Sequence, residues 1–136
     1  MNFRLKTTSH TAVSLKKLQN STGLTPNLLS RIAISLSLID PEQPEEVQSD
    51  SNGLEFNRNT LTGEHDYFYK SLIRQHAKRE IPEQEYFPYV FNAHLDRGVK
   101  ILEQEYKHAG NYDKLLNNLM KLSEERFEER SYALFR

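Results

Sequence analysis

The sequence predicts a mainly α-helical protein: a short strand, two helices, an acidic loop, then further helices. Three observations predict it. Apolar residues recur at three- and four-residue spacing over most of the chain, as one face of a helix requires. The only clear two-residue alternation is at the start, where Phe3, Leu5 and Thr7 interleave with Arg4, Lys6 and Thr8. Glycine and proline punctuate the pattern where helices should stop or begin, at Gly23, Pro26, Pro41, Pro82 and Gly110.

The elements follow in order. Ser9 is placed to cap a helix that carries Ala12, Leu15 and Leu18 on one face, and Gly23 suits the left-handed position that ends it. Thr25-Pro26 restarts the chain as a helix, with a capping hydroxyl and a proline at the first helical position. That second helix carries Leu28, Leu29, Ile32, Ala33, Leu36 and Ile39, and Asp40-Pro41 stops it. It is apolar on most of its circumference, so it should be buried on several sides, by its own chain or by a second copy. Tyr67, Phe68, Leu72, Ile73 and His76 give another helix. From Pro88 onward, Val90, Phe91, His94, Leu95, Val99, Leu102 and Tyr106 keep helical spacing as far as Gly110. Gly98 lies inside that helix at a cost of about 1 kcal/mol against alanine, which points to close packing there. A last helix from about Asp113 carries Leu115, Leu116, Leu119, Leu122 and Phe127, and SEERFEERSYALFR follows as an end that frays or docks on a partner.

Charge falls in blocks. Residues 1–39 hold Arg4, Lys6, Lys16, Lys17 and Arg31 with no acid, and residues 40–57 hold Asp40, Glu42, Glu45, Glu46, Asp50 and Glu55 with no base. The reading is therefore an N-terminal unit over 1–40, an acidic loop over 41–66 and a helical part over 67–136 packed on the same core. The chain has 136 residues, 37% hydrophobic and 27% charged, which fits one soluble domain. It has no cysteine, which excludes disulfides and cysteine chemistry and fits a reducing cytoplasm. No apolar run reaches the roughly 20 residues of a membrane helix, and the N-terminus lacks the apolar core of a secretory signal.

Strand, helix, glycine turn and helix within 40 residues is the order of a ribbon-helix-helix unit. A lone strand needs a neighbour for its backbone groups, so two copies are expected to pair their strands as an antiparallel ribbon, a shape that fits the DNA major groove. Arg4, Lys6 and Thr8 would then project outward while Phe3 and Leu5 face the helices. The start of the second helix at Thr25 offers N–H groups and a favourable dipole for a phosphate. Against this stands the plain alternative that a basic run is a solvated face. The coincidence of an acid-free stretch with that element order favours DNA. Expected phosphate contacts are Arg4, Lys6, Lys16, Lys17 and Arg31, with Ser21 and Thr25 as backbone-directed hydroxyls.

The opening FRLKTTSHTAVSLKKLQNSTGLTPNLLSRIAISLSL with the proline after it, the later SNGLEFNRNTLTGEHDYFYKSLI and the segment FNAHLDRGVKIL together resemble the DndE family over roughly residues 1–105. The resemblance implies a part in DNA phosphorothioation, in which sulfur replaces a non-bridging phosphate oxygen. It implies that other subunits supply sulfur mobilisation, nucleotide-using sulfur transfer and an ATPase. The small member is then a DNA-binding accessory, with a preference for nicked duplex associated with it.

An active site is not expected. His10, His65, His76, His94 and His108 form no metalloprotease motif, and no phosphate-binding loop or nucleophile elbow is present. His94, Asp96 and Arg97 in HLDRG read better as a satisfied histidine with a structural ion pair than as a catalytic pocket. Glu103 and His108 lack the further ligands a metal needs. The aromatics Tyr67, Phe68, Tyr69, Tyr86, Phe87, Tyr89 and Phe91 read as core rather than as a stacking platform for unpaired bases. The chain is thus expected to be no enzyme, to need no cofactor or metal, and to partner DNA, the other sulfur-modification subunits and its own copies as a dimer or tetramer. The runner-up is a ribbon-helix-helix repressor on a palindromic operator.

Overall fold

A computed structural model describes residues 3–46 and 51–122 of the chain. The chain divides into two compact units, Met1–Glu103 and Gln104–Arg136. Helices dominate, and the described strands form one two-stranded antiparallel sheet. The order is β1 (Arg4–Lys6), α1 (Ser9–Thr22), α2 (Pro26–Ile39), β2 (Glu55–Asn57), a short α3 (Arg58–Leu61), α4 (Asp66–Ala77), a single turn α5 (Glu83–Glu85) continuing as a wider turn over Tyr86–Val90, and α6 (Phe91–Ala109), whose residues up to Glu103 belong to the first unit. In the second unit the end of α6 meets Gly110 at φ 83°, and α7 covers 112–122 with Asn111 Oδ1 accepting from the Lys114 amide at 2.9 Å. The SEERFEERSYALFR end and Phe127 lie outside the described residues. No helix among the described residues is long and apolar enough to cross a membrane.

The helix boundaries follow the expected chemistry, with one shift. Thr8, not Ser9, caps α1: its hydroxyl accepts from the Thr11 amide at 3.1 Å. Gly23 ends α1 at φ 77° and its amide donates to Gln19 O at 2.8 Å. That φ is the left-handed region where a Cβ is strained. Thr25 caps α2, with Pro26 inside the first turn.

The strand pairing differs from expectation. β1 pairs with β2 of its own chain, in the register Arg4↔Asn57, Leu5↔Phe56, Lys6↔Glu55. The ladder extends past both strands: Arg58 N–H donates to Phe3 O at 2.7 Å and Thr7 N–H to Leu54 O at 3.0 Å. Residues assigned to a loop over 41–66 thus include β2, α3 and a 3-10 turn over Gly63–His65. The ribbon that was expected to form between two copies is built inside one chain. Leu5 and Phe56 bury the inner side of the ribbon, but Phe3 is 47% exposed and Thr8 is buried, the reverse of the expected sides.

α2 is the central helix of the first unit. Leu29, Ala33 and Ile34 are inaccessible, covered by α1, α3, α4 and α6. The second copy that its apolar circumference invited is largely replaced by the chain itself. Tyr86, Phe87 and Phe91 join the core as expected, whereas Tyr67, Phe68 and Tyr89 stay exposed.

Candidate nucleic-acid interface

α1 presents its residues in two stripes. Thr11, Ser14, Leu15 and Leu18 are buried at helical spacing. The opposite side carries Val13, Lys16, Lys17 and Asn20, all exposed, and the helix contains no acid. Among the described residues neither lysine has a carboxylate within ion-pairing distance. Two adjacent hydrated cations on a rigid helix can each displace a counterion from a phosphate without first breaking a pair.

The other expected contacts are placed less favourably. Ser21 is exposed but lies in the last turn of α1, at the negative end of the helix dipole. At the start of α2 the Leu28 amide is taken by Thr25 Oγ1 at 3.3 Å and the Leu29 amide by Thr25 O at 2.9 Å. With Pro26 lacking an N–H, little of the expected anion site is left open. Arg31 is committed to the fold: its Nε donates to Leu61 O at 2.7 Å and an Nη to Thr60 O at 2.8 Å, so it closes the carbonyl end of α3. Arg4 and Lys6 are exposed on the outer ribbon face, but the register sets Glu55 opposite Lys6, and Arg4 pairs with Glu55 at 3.7 Å. The acid-free stretch of sequence is therefore not an acid-free surface. Glu55 is a determinant that linear charge counting misses, because it becomes a neighbour only through β2.

HLDRG forms a crossing between helices. Arg97 Nε donates to Ser37 Oγ at 2.8 Å, its two Nη groups donate to Glu42 O at 2.7 Å and Ser37 O at 2.6 Å, and Asp40 lies 3.6 Å away. It thereby serves the orphan carbonyls at the end of α2. Asp96 Oδ1 accepts from the Thr11 hydroxyl at 2.9 Å and Asp96 pairs with Lys100 at 3.2 Å, joining α6 to α1. His94 is fully buried, with Nδ1 2.8 Å from Ser37 Oγ. Ser37 Oγ thus bridges Arg97 Nε and His94 Nδ1, with the proton of the second bond on either atom according to the ring tautomer. Burial, then the nearness of His76 and Arg97, pushes the His94 pKa down to about 3. The ring is neutral and structural, not poised for proton transfer near neutral pH.

The most extensive polar cluster was not legible in the sequence. Arg58 is almost wholly buried and forks onto Asp66, with Nε–Oδ1 and Nη–Oδ2 both 2.8 Å, while its other Nη pairs with Glu83. Lys70 joins Glu83 at 2.7 Å, and the guanidinium lies 4.7 Å from the Phe87 ring centroid and 5.4 Å from that of Tyr86. Burial works against each charge here, and the hydrogen bonds outweigh it. Arg58 is raised above its ordinary pKa by Asp66 and Glu83, and both carboxyls are held below theirs by Arg58. No residue spacing joins positions 58, 66, 70 and 83, so only the fold reveals the cluster.

The family model for DNA sulphur modification protein DndE matches residues 4–110. The chain belongs to the DndE family. No curated protein matches the sequence. Among solved structures, DndE from Escherichia coli B7A, described as involved in DNA phosphorothioation modification, superposes with a TM-score of 0.63 at 24% identity, covering 75% of this chain and 97% of that one. A DndE G21/24K mutant, described as involved in DNA phosphorothioation, gives 0.61 at 20% identity over 76% and 99%. At these identities the likeness concerns the fold, and it covers nearly all of each of those DndE chains. The DndE match ends at residue 110, just before α7, as the resemblance over the first hundred or so residues implied.

Proposed function

We propose that this DndE-family chain is a DNA-binding accessory subunit of the phosphorothioation machinery, without catalytic chemistry of its own, and that it holds duplex or nicked DNA through phosphate contacts in the cytoplasm. The observation that carries the reading is the outward face of α1, with Lys16 and Lys17 adjacent, exposed and unpaired among the described residues. Lysine is a mobile point charge suited to tracking a backbone rather than reading a base. Arg4 and Lys6 form a second, weaker patch because Glu55 offsets it. Ser21, exposed in the last turn of α1, is kept as a marginal hydroxyl contact, whereas the Thr25 hydroxyl caps α2 and Arg31 serves the fold.

The sulfur step is assigned to other subunits. It needs a persulfide or a cluster, and the chain has no cysteine to hold either. Self-association stays in the proposal on new grounds: Phe3, Val13, Leu28 and Leu54 remain exposed in the first unit. Sedimentation at micromolar concentration should show more than a 16 kDa species; a single monomer peak would remove it.

Lys16→Ala with Lys17→Ala should flatten the salt dependence of DNA binding by about 2 in log K against log[salt], one for each phosphate lost. The helical fold should be unchanged, since both side chains are exposed. An unchanged slope would take α1 out of the interface.

A further inference from the structure

The Arg58 cluster lies outside the proposed phosphate contacts, yet it joins the ribbon that carries two of them. We infer that Arg58 is a positioning residue that pins the register of β1 on β2 and so sets where Arg4 and Lys6 stand. The ribbon is short, with three residues in each strand, and a pair of that size is marginal by itself. Its inner contact, Leu5 against Phe56, is apolar and non-directional. Such a contact resists a one-residue slip, which would turn Leu5 outward, but a two-residue slip keeps an inward-facing position.

At the Lys6 end the direction comes from Thr7, whose O accepts from the Gly53 amide at 2.9 Å and whose Oγ1 accepts from the Leu54 amide at 3.0 Å; at the Arg4 end it comes from Arg58. Its amide closes the ladder on Phe3 O at 2.7 Å, at the Arg4 end of the ribbon. Its side chain is held by a bidentate fork on Asp66 of α4, a further bond to Glu83 of α5, and the faces of Tyr86 and Phe87. A planar fork tolerates far less displacement than an apolar side chain does. A buried ion pair adds little net stability over an apolar equivalent, and fixing register is its best-attested use. The cluster is also internally compensated, Arg58 and Lys70 against Asp66 and Glu83, so it has no excess charge with which to hold a ligand.

The test uses the full chain. Arg58→Met with Asp66→Asn removes the fork without leaving a buried unpaired charge, and keeps the Lys70–Glu83 pair. Arg58→Lys, which keeps the charge and loses the fork, is the second variant. Both should unfold cooperatively. Amide exchange over residues 3–7 and 53–57 should accelerate about tenfold or more, while α1 and α2 keep their protection. Unchanged exchange over those two segments in either folded variant would overturn the inference. The consequence for DNA, a salt slope lower by about 2 as Arg4 and Lys6 lose their placement, rests on the proposed function. The exchange measurement involves no DNA. Wild-type protein that fails to bind DNA would sink the proposed function alone, and the exchange result would still decide the role of Arg58.

Discussion

Gly98→Ala should destabilise the protein by roughly 3 kcal/mol or prevent folding, although the same change in an ordinary helix interior adds about 1 kcal/mol of stability. The sign is decided by what stands where the methyl would go. A Cβ at Gly98 would lie 1.9 Å from Ala33 O and 2.3 Å from Ala33 C. Both are backbone atoms of α2, at the centre of the unit, so no side chain can rotate to make room. α6 and α2 would have to separate. Around that crossing stand the bonds from Arg97 to Ser37 and Glu42 O and from His94 to Ser37, which the same separation would stretch. Ala33→Gly should not rescue the variant, because the clash is with backbone that glycine also has. A urea midpoint at or above that of the wild type would show that the two helices do not approach as described.

That crossing illustrates what the sequence could and could not convey. Gly98 in a helical pattern announces close approach, and the structure places Ala33 there. Gly23, Thr25-Pro26, Asp40-Pro41 and Gly110 mark helix ends because each acts through its own backbone or that of its nearest neighbours, and local chemistry is legible locally. β2 was not legible: Glu55-Phe56-Asn57 has one apolar residue, too few to display a period, and it is a strand only because β1 lies beside it. The same limit applies to the candidate interface. Lys16 and Lys17 could be placed outward from the spacing of Ala12, Leu15 and Leu18 on their own helix. Arg31 lies on an equally readable helix, but its use depends on the carbonyls of Thr60 and Leu61, some thirty residues away. Arg4 looked free of acids because its neighbours in sequence are, and it meets Glu55 only across the ladder. Charge blocks in a sequence thus become charge patches only where a single helix carries both the charge and its surroundings.

Protein stability should rise with pH between about 5.5 and 6.5, with a slope that approaches 1.4 kcal/mol per pH unit at the lower end, and His94 should account for most of it. In the native state His94 is held neutral, its pKa pushed from the ordinary 6.5 to about 3 by burial first and then by His76 and Arg97. The groups facing the ring explain why no proton is welcome there. Ser37 of α2 hydrogen-bonds Nδ1, Arg97 of α6 brings a fixed positive charge, and His76 of α4 packs edge-on with ring centroids 5.2 Å apart. The carboxylate of Asp40 engages Arg97 rather than His94. The unfolded chain, by contrast, takes up the proton as pH falls through about 6.5. The native advantage is therefore complete above pH 6.5, shrinks as pH falls, and is fully lost near pH 3, where roughly 4 to 5 kcal/mol has gone. Asp66 and Glu83 act in the same direction but lower down, since both are held below their ordinary values of 3.8 and 4.5, through which the unfolded carboxyls protonate. The interval from about 5.5 to 6.5 is thus governed chiefly by the histidine. His94→Asn, which keeps a polar atom near the position of Nδ1 and cannot titrate, should be less stable than the wild type at pH 7 and nearly flat across that interval. Urea unfolding free energies measured at half-unit steps would give both slopes. A wild-type slope no steeper than that of His94→Asn would mean that the buried ring is not the group whose protonation opposes folding.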